Sequence, residues 1–128
     1  MALHPDAAVT AHIECGCQSK CTTMLNQGLI SAEKMQLGST WSMIEFVKKT
    51  PHKKIIVATT VTNIHPMRKA APDKEFIPAN PEARCEFMEQ NTLRNLYESL
   101  RDMKYEITVD PELAERARIP IERMLEIV

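Results

Sequence analysis

The sequence has 128 residues, 44% apolar and 26% charged, with three glycines and a formal net charge of −1. That length and composition suit a globular domain with a proper core and exclude a disordered chain. A charge near zero with no basic stripe argues against nucleic acid and against an anionic membrane surface as partners. Apolar runs such as "IIVA" are far too short to span a bilayer. The opening "MALHPDAAVT" has no charged start followed by an apolar stretch, so no secretory signal is read there and the expected location is cytoplasmic. Four cysteines in such a chain read as metal ligands or free thiols rather than as disulfides.

In chain order, "AVTAHI" predicts a short buried strand. "CTTMLNQGLISAEK" reads as a short helix and a loop, and "MQLG" as a strand. "WSMIEFVKKT" predicts a helix that stops before Pro51, with Ser42 and Glu45 at capping-box spacing. The β-branched "KKIIVAT" predicts a strand. "NIHPMRKAA" predicts a short helix that tolerates Pro66 only in its first turn. "KEFIP" predicts the next strand. In "TLRNLYESLRDM", Leu93, Leu96, Tyr97, Leu100 and Met103 form one apolar stripe of a helix. "KYEITV" alternates Tyr105, Ile107 and Val109, as an edge strand with one wet face would. The last helix opens with Asp110 as N-cap and Pro111 at its first position, and Pro120 should kink or restart it.

This alternation predicts an α/β fold: a three-layer α/β/α arrangement with a short, mainly parallel sheet. Such folds bind ligands beyond the carboxyl ends of their strands. The polar groups expected at that edge are His12 and Glu14, Ser39 and Thr40, Thr59 and Thr60, and the loop carrying Cys85.

Each candidate has an ordinary explanation as well. His12 and Glu14 can bind a polar substrate or pass a proton, or they are a strand-end histidine and an exposed glutamate. Ser39 and Thr40 follow a glycine and precede a helix, where free N–H groups bind anions; they also suit plain capping. Cys15, Cys17 and Cys21 form C-x-C-x3-C, and three close thiolates suit zinc or an iron–sulfur cluster. That spacing is neither a pair of C-x2-C units nor a ferredoxin run, and His12 is the only nearby fourth ligand. Cys85 alone reads as a buried, inert thiol. His52 and His65 read as fillers.

Several stretches together carry a resemblance: "HIECGC", "STWSMIEFVKK", "IIVAT", "NIHPMRKAAPDKEFIPANPEARCEFM", "TLRNLYESL" and "VDPELAERARIPIERML". In that order they resemble the C-terminal part of the quinolinate synthase family. The resemblance implies condensation of iminoaspartate with dihydroxyacetone phosphate to quinolinate, the pyridine precursor of NAD, with release of phosphate and water. It implies three similar α/β/α domains that share one 4Fe–4S cluster, one cysteine from each, with the open iron acting as a Lewis acid. Cys85 matches the cluster cysteine of the last domain. His12 and Glu14 match the substrate-site His-Pro-Glu-Cys motif, whose cysteine is Cys15 and whose proline is replaced by Ile13. Ser39 and Thr40 match a Ser-Thr pair that contacts substrate at a helix start. Thr60 and Thr62 stand where the family usually has an acidic residue and a glycine, and Pro66 where a basic residue is usual.

On this resemblance, residues 1–38 are the end of a preceding domain plus an inserted cysteine-containing segment, and residues 39–128 are the C-terminal α/β/α domain. Cys17 and Cys21 begin that segment, expected as a surface loop running to about Glu33. The chain reads as a fragment, a split subunit or a remnant. As a split subunit it would need a partner chain to supply the N-terminal domains and the remaining cluster ligands. The alternatives are a small cysteine-based metal-binding or redox module, or an inactive remnant.

Overall fold

A computed structural model, which describes residues 4–127, turns the apolar runs into four parallel strands. These are β1 (Ala8–His12), β2 (Met35–Gly38), β3 (Lys54–Ala58) and β4 (Glu75–Pro78). They form one sheet in the order β2-β1-β3-β4. The register places Val9 opposite Met35 on one side and Ile56 on the other, and Ile56 opposite Ile77. β1 and β2 precede residue 39, β3 and β4 follow it, and all four share this sheet.

Side-chain alternation sorts the strands into two faces. One face presents Ala8, Ile55, Val57 and Phe76. It is covered by helix α2 (Thr40–Lys49), through Met43 and Val47, and helix α3 (Ile64–Ala70), through Ile64 and Met67. The other face presents Val9, Ala11, Met35 and Ala58. Helix α1 (Gln18–Asn26) packs Cys21 there, beside Ile30. The sheet therefore has helices on both faces, and the expected α/β/α layering holds. The stretch from Cys17 to Glu33 is not the surface loop expected from its inserted look. It supplies the helix that covers this face, because Cys21, Met24 and Leu25 fall on one side of α1 and reach the sheet.

Gly38 joins β2 to α2 where a Cβ would collide with Ser42 Oγ and lie 3.2 Å from Ser42 Cβ. The α2 cap also differs from expectation. Ser39 is the N-cap, its Oγ accepting the Ser42 N–H at 3.3 Å, so no capping box forms between Ser42 and Glu45. Glu45 instead pairs with Lys48 and Lys49 along the helix. In α3, Pro66 lies in the first turn, where a missing N–H costs no helical bond.

The chain divides into two compact units, Met1–Glu89 and Gln90–Val128. The second contains helices α4 (Leu93–Asp102) and α5 (Pro111–Leu125). Thr92 caps α4 by accepting the Asn95 N–H at 3.1 Å, and Asp110 caps α5 by accepting the Leu113 N–H at 3.0 Å. α5 runs as one element through Pro120. No residue of either helix is buried, and the α4 stripe from Leu93 to Met103 is exposed. The edge strand expected over Lys104–Val109 does not form. Tyr105 has a φ of 63°, a left-handed conformation that interrupts any strand, and its hydroxyl donates to Glu98.

Candidate functional site

The sheet order makes a topological switch point. From β1 the chain goes to β2 on one side, and from β3 to β4 on the other, so the connections leaving the two central strands diverge. A cleft of about 520 Å³ opens beyond the carboxyl ends of those strands. His12, Glu14, Thr40 and Cys85 all line it, together with Thr59 and Thr60. A second cleft of about 450 Å³ shares Glu14, Cys15 and Cys85 and adds Asn80 and Arg84.

The β1 end is built by a turn, not by strand alternation. The Ile13 N–H donates to Gly38 O at 3.2 Å, and the Cys15 N–H folds back onto His12 O at 3.1 Å. The strand stops at His12, and the turn brings Glu14 and Cys15 to the cleft. The Glu14 N–H donates to His12 Nδ1 at 3.3 Å. With Nδ1 accepting, a neutral His12 carries its proton on Nε2. Cys15 Sγ lies 3.3 Å from Thr59 Oγ1, tying the β1 turn to the end of β3.

Ser39 and Thr40 part company at the α2 start. Thr40 lines the cleft, whereas Ser39 spends its hydroxyl on the cap. The Cys85 loop, between β4 and α4, is held by the Glu89 N–H donating to Cys85 O at 3.0 Å.

The three early cysteines do not act as one group. Cys15 is on the cleft. Cys17 donates its thiol to Ala58 O at 3.0 Å. Cys21 is in the core, 7% exposed. Burial pushes the Cys17 thiol up, with the neighbouring Cys15 and Cys21 thiols adding to the effect, and burial pushes Cys21 up as well. A raised thiol pKa disfavours the thiolate, which is the metal-binding form. Among the described residues, no three His, Cys, Asp or Glu side chains gather as a metal site. No described helix is long and apolar enough to cross a membrane.

The sequence profile of the quinolinate synthetase A protein family matches residues 1–126. The chain belongs to the quinolinate synthase family. Quinolinate synthase of Pyrobaculum aerophilum is 39% identical over 124 residues, covering 97% of this chain and 39% of that protein. The Mycobacterium tuberculosis enzyme is 36% identical over 97% of the chain and 36% of its own length. The Thermus thermophilus enzyme is 37% identical over 95% of the chain and 37% of its own length. The chain thus spans little more than a third of the curated relatives it matches.

Within this family member, the sequence alone did not single out Asn63, Arg84, Phe87 or Met88, yet Phe87 lines both clefts and each of the others lines one. The available signal was position. Asn63 follows β3 by a few residues, and the other three flank Cys85, so all lie at the binding edge of a parallel sheet.

Proposed function

We propose that this chain forms one wall of a quinolinate synthase active site, acting on iminoaspartate and dihydroxyacetone phosphate in NAD biosynthesis. The observation that carries the reading is the convergence of His12, Glu14, Thr40 and Cys85 on one cleft at the switch point. His12 and Glu14 are neighbours, but Thr40 and Cys85 lie far along the chain from them and from each other, and all four fit the pattern that the family resemblance implies.

The donor set fits a shared cluster: Cys15 lines both clefts beside Cys85 and Cys17 lines one of them, yet no three metal-ligating side chains gather among the described residues. Cys85 is half-buried on the cleft and offers one thiol, as a cluster ligated by one cysteine per domain requires. The other ligands would come from the family's remaining domains, outside these 128 residues. When bound, the 4Fe–4S cluster supplies an open iron that polarises a substrate oxygen.

The chain's own residues do the rest. His12, with Nδ1 taken by the Glu14 N–H, works through its Nε2–H, which donates a hydrogen bond to a substrate oxygen or nitrogen and steadies charge there. Glu14 accepts a proton in the condensation and dehydration steps. Thr40 offers a hydroxyl beside the free N–H groups of the first α2 turn, a suitable place for a substrate anion. Ser39 serves binding by fixing that turn through its cap. Four free cysteines suit a reducing, cytoplasmic setting.

The test is co-expression with the N-terminal two domains of a relative, followed by anaerobic reconstitution with iron and sulfide. The assembly should hold a 4Fe–4S cluster and form quinolinate, and Cys85→Ser should lose both. Full iron content in the Cys85→Ser assembly would remove Cys85 as a ligand and this reading with it.

A further inference from the structure

We infer that Thr60 is a positioning residue whose hydroxyl clamps the Cys85 loop to the end of β3. Ala83, two residues before Cys85, presents its carbonyl to that strand end. The Val61 N–H donates to Ala83 O at 3.1 Å, and Thr60 Oγ1 donates to the same oxygen at 3.5 Å. Thr62 Oγ1 lies 3.1 Å from Thr60 Oγ1. A carbonyl can only accept, so the donors resolve into one chain: Thr62 to Thr60, and Thr60 to Ala83 O.

At its start the loop is tied to β3 by the Ala79 N–H donating to Val57 O at 2.9 Å; beyond that it is fastened to itself. Asn80 Oδ1 accepts the Glu82 N–H at 2.9 Å. Asn80 O accepts the Ala83 N–H at 3.1 Å, and Cys85 O accepts the Glu89 N–H at 3.0 Å. Among the hydrogen bonds described for residues 83–89, only those to Ala83 O reach the end of β3. Thr60 also lines both clefts that Cys85 lines. Its hydroxyl therefore reinforces the Val61 N–H in holding Cys85 relative to the strand ends carrying His12 and Thr59.

The clamp stands on this geometry; only its catalytic consequence rests on reading Cys85 as a cluster ligand. Its test uses the whole 128-residue chain without iron. Thr60→Val keeps the branched shape and removes the hydroxyl, and Thr60→Ser keeps the hydroxyl. Each cysteine is followed by iodoacetamide alkylation and mass spectrometry, alongside deuterium exchange of residues 80–89. Thr60→Val should speed both Cys85 alkylation and loop exchange roughly two- to fivefold, up to the factor of one typical net hydrogen bond, because the 3.5 Å contact is long and the Val61 N–H stays on Ala83 O. Thr60→Ser should behave as wild type, and buried Cys21 should keep its rate in both variants. An unchanged Cys85 rate in Thr60→Val overturns the clamp. So does an equal acceleration of Cys21, which means general loosening, or a Thr60→Ser chain as fast as Thr60→Val. Iron loss in the Cys85→Ser assembly is a separate measurement, so the clamp and the ligand reading can fail independently.

Discussion

Glu14 donates its backbone N–H to His12 Nδ1 at 3.3 Å. The bond leaves Nε2 as the proton-bearing nitrogen of a neutral His12 and holds the ring against its own turn. Both side chains reach the same cleft, so the pair is suited to acid–base work. In an assembly with the missing domains supplied, His12→Ala or Glu14→Gln should lower turnover by roughly two to four orders of magnitude. Iron content should stay unchanged, since neither residue is assigned to the cluster. Near-normal rates in both variants would remove them from the mechanism.

The 128-residue chain alone should form no quinolinate. It contributes one thiol to a proposed cluster that needs three, and no other metal-ligating trio gathers among the described residues. An anaerobic assay of the purified, reconstituted chain with both substrates checks this. Steady turnover by the chain alone contradicts the shared-cluster reading.

Much of the fold was legible because its signals were local and strong. The "KKIIVAT" run is β-branched and ends in threonines, and Asp110 with Pro111 starts a helix in the only way that pair readily can. The departures have separate causes. Alternation in "KYEITV" satisfies a strand template, but a strand also needs a partner edge and a compatible backbone, and Tyr105 is left-handed. Ser42 and Glu45 match a capping box, yet the chain enters α2 earlier, after Gly38, and Ser39 takes the cap. The cleft was legible as a set of strand ends. That His12 and Glu14 meet by a turn was not, since the Cys15 N–H folding back onto His12 O breaks the strand one residue after His12, and nothing in "HIECGC" demands a turn there.

Thr10 is wholly buried, and its Oγ1 has no hydrogen-bond partner among the described residues. An unpaired buried hydroxyl costs free energy that a methyl group of similar shape does not. Thr10→Val should therefore be neutral or stabilising by up to about 1–2 kcal/mol. Urea unfolding at equal m-value measures it. A loss of stability beyond roughly 1 kcal/mol would mean the hydroxyl is satisfied after all.

Several surface carboxyls make stability depend on acid. The hydrogen bond from Lys53, at 2.5 Å, holds the Asp73 carboxyl below its ordinary range. Lys48 does the same for Glu45, and Arg94, with Tyr105 and Lys104, for Glu98. A folded pKa below the unfolded one gives stability that is present above the ordinary carboxyl values and lost as pH falls through the folded values. The unfolding midpoint should therefore drop as pH falls below about 4, and less steeply at 1 M salt, which screens exposed pairs. A midpoint flat from pH 5 to about 2.5 would show that these pairs contribute nothing.

The cysteines should separate cleanly by their surroundings. Cys17 donates its thiol to Ala58 O, so Cys17→Ser keeps a donor there and should fold with near-normal stability. Cys21 packs against Val9, Ala11 and Met35, so Cys21→Ser puts a hydroxyl into an apolar layer and should cost about 1–3 kcal/mol. Cys21→Ala avoids that penalty and suits assembly experiments better. In the complete assembly, Cys17→Ser and Cys21→Ala should keep the iron and the 4Fe–4S absorbance, because neither thiol is poised as a thiolate. Cys85→Ser should lose both while folding normally, since Cys85 lies in a loop and outside both core clusters. The expected pattern is a destabilised Cys21→Ser, a stable Cys85→Ser, and iron lost only from the latter. Iron that survives Cys85→Ser and disappears with Cys17→Ser would make the early cysteines the metal site.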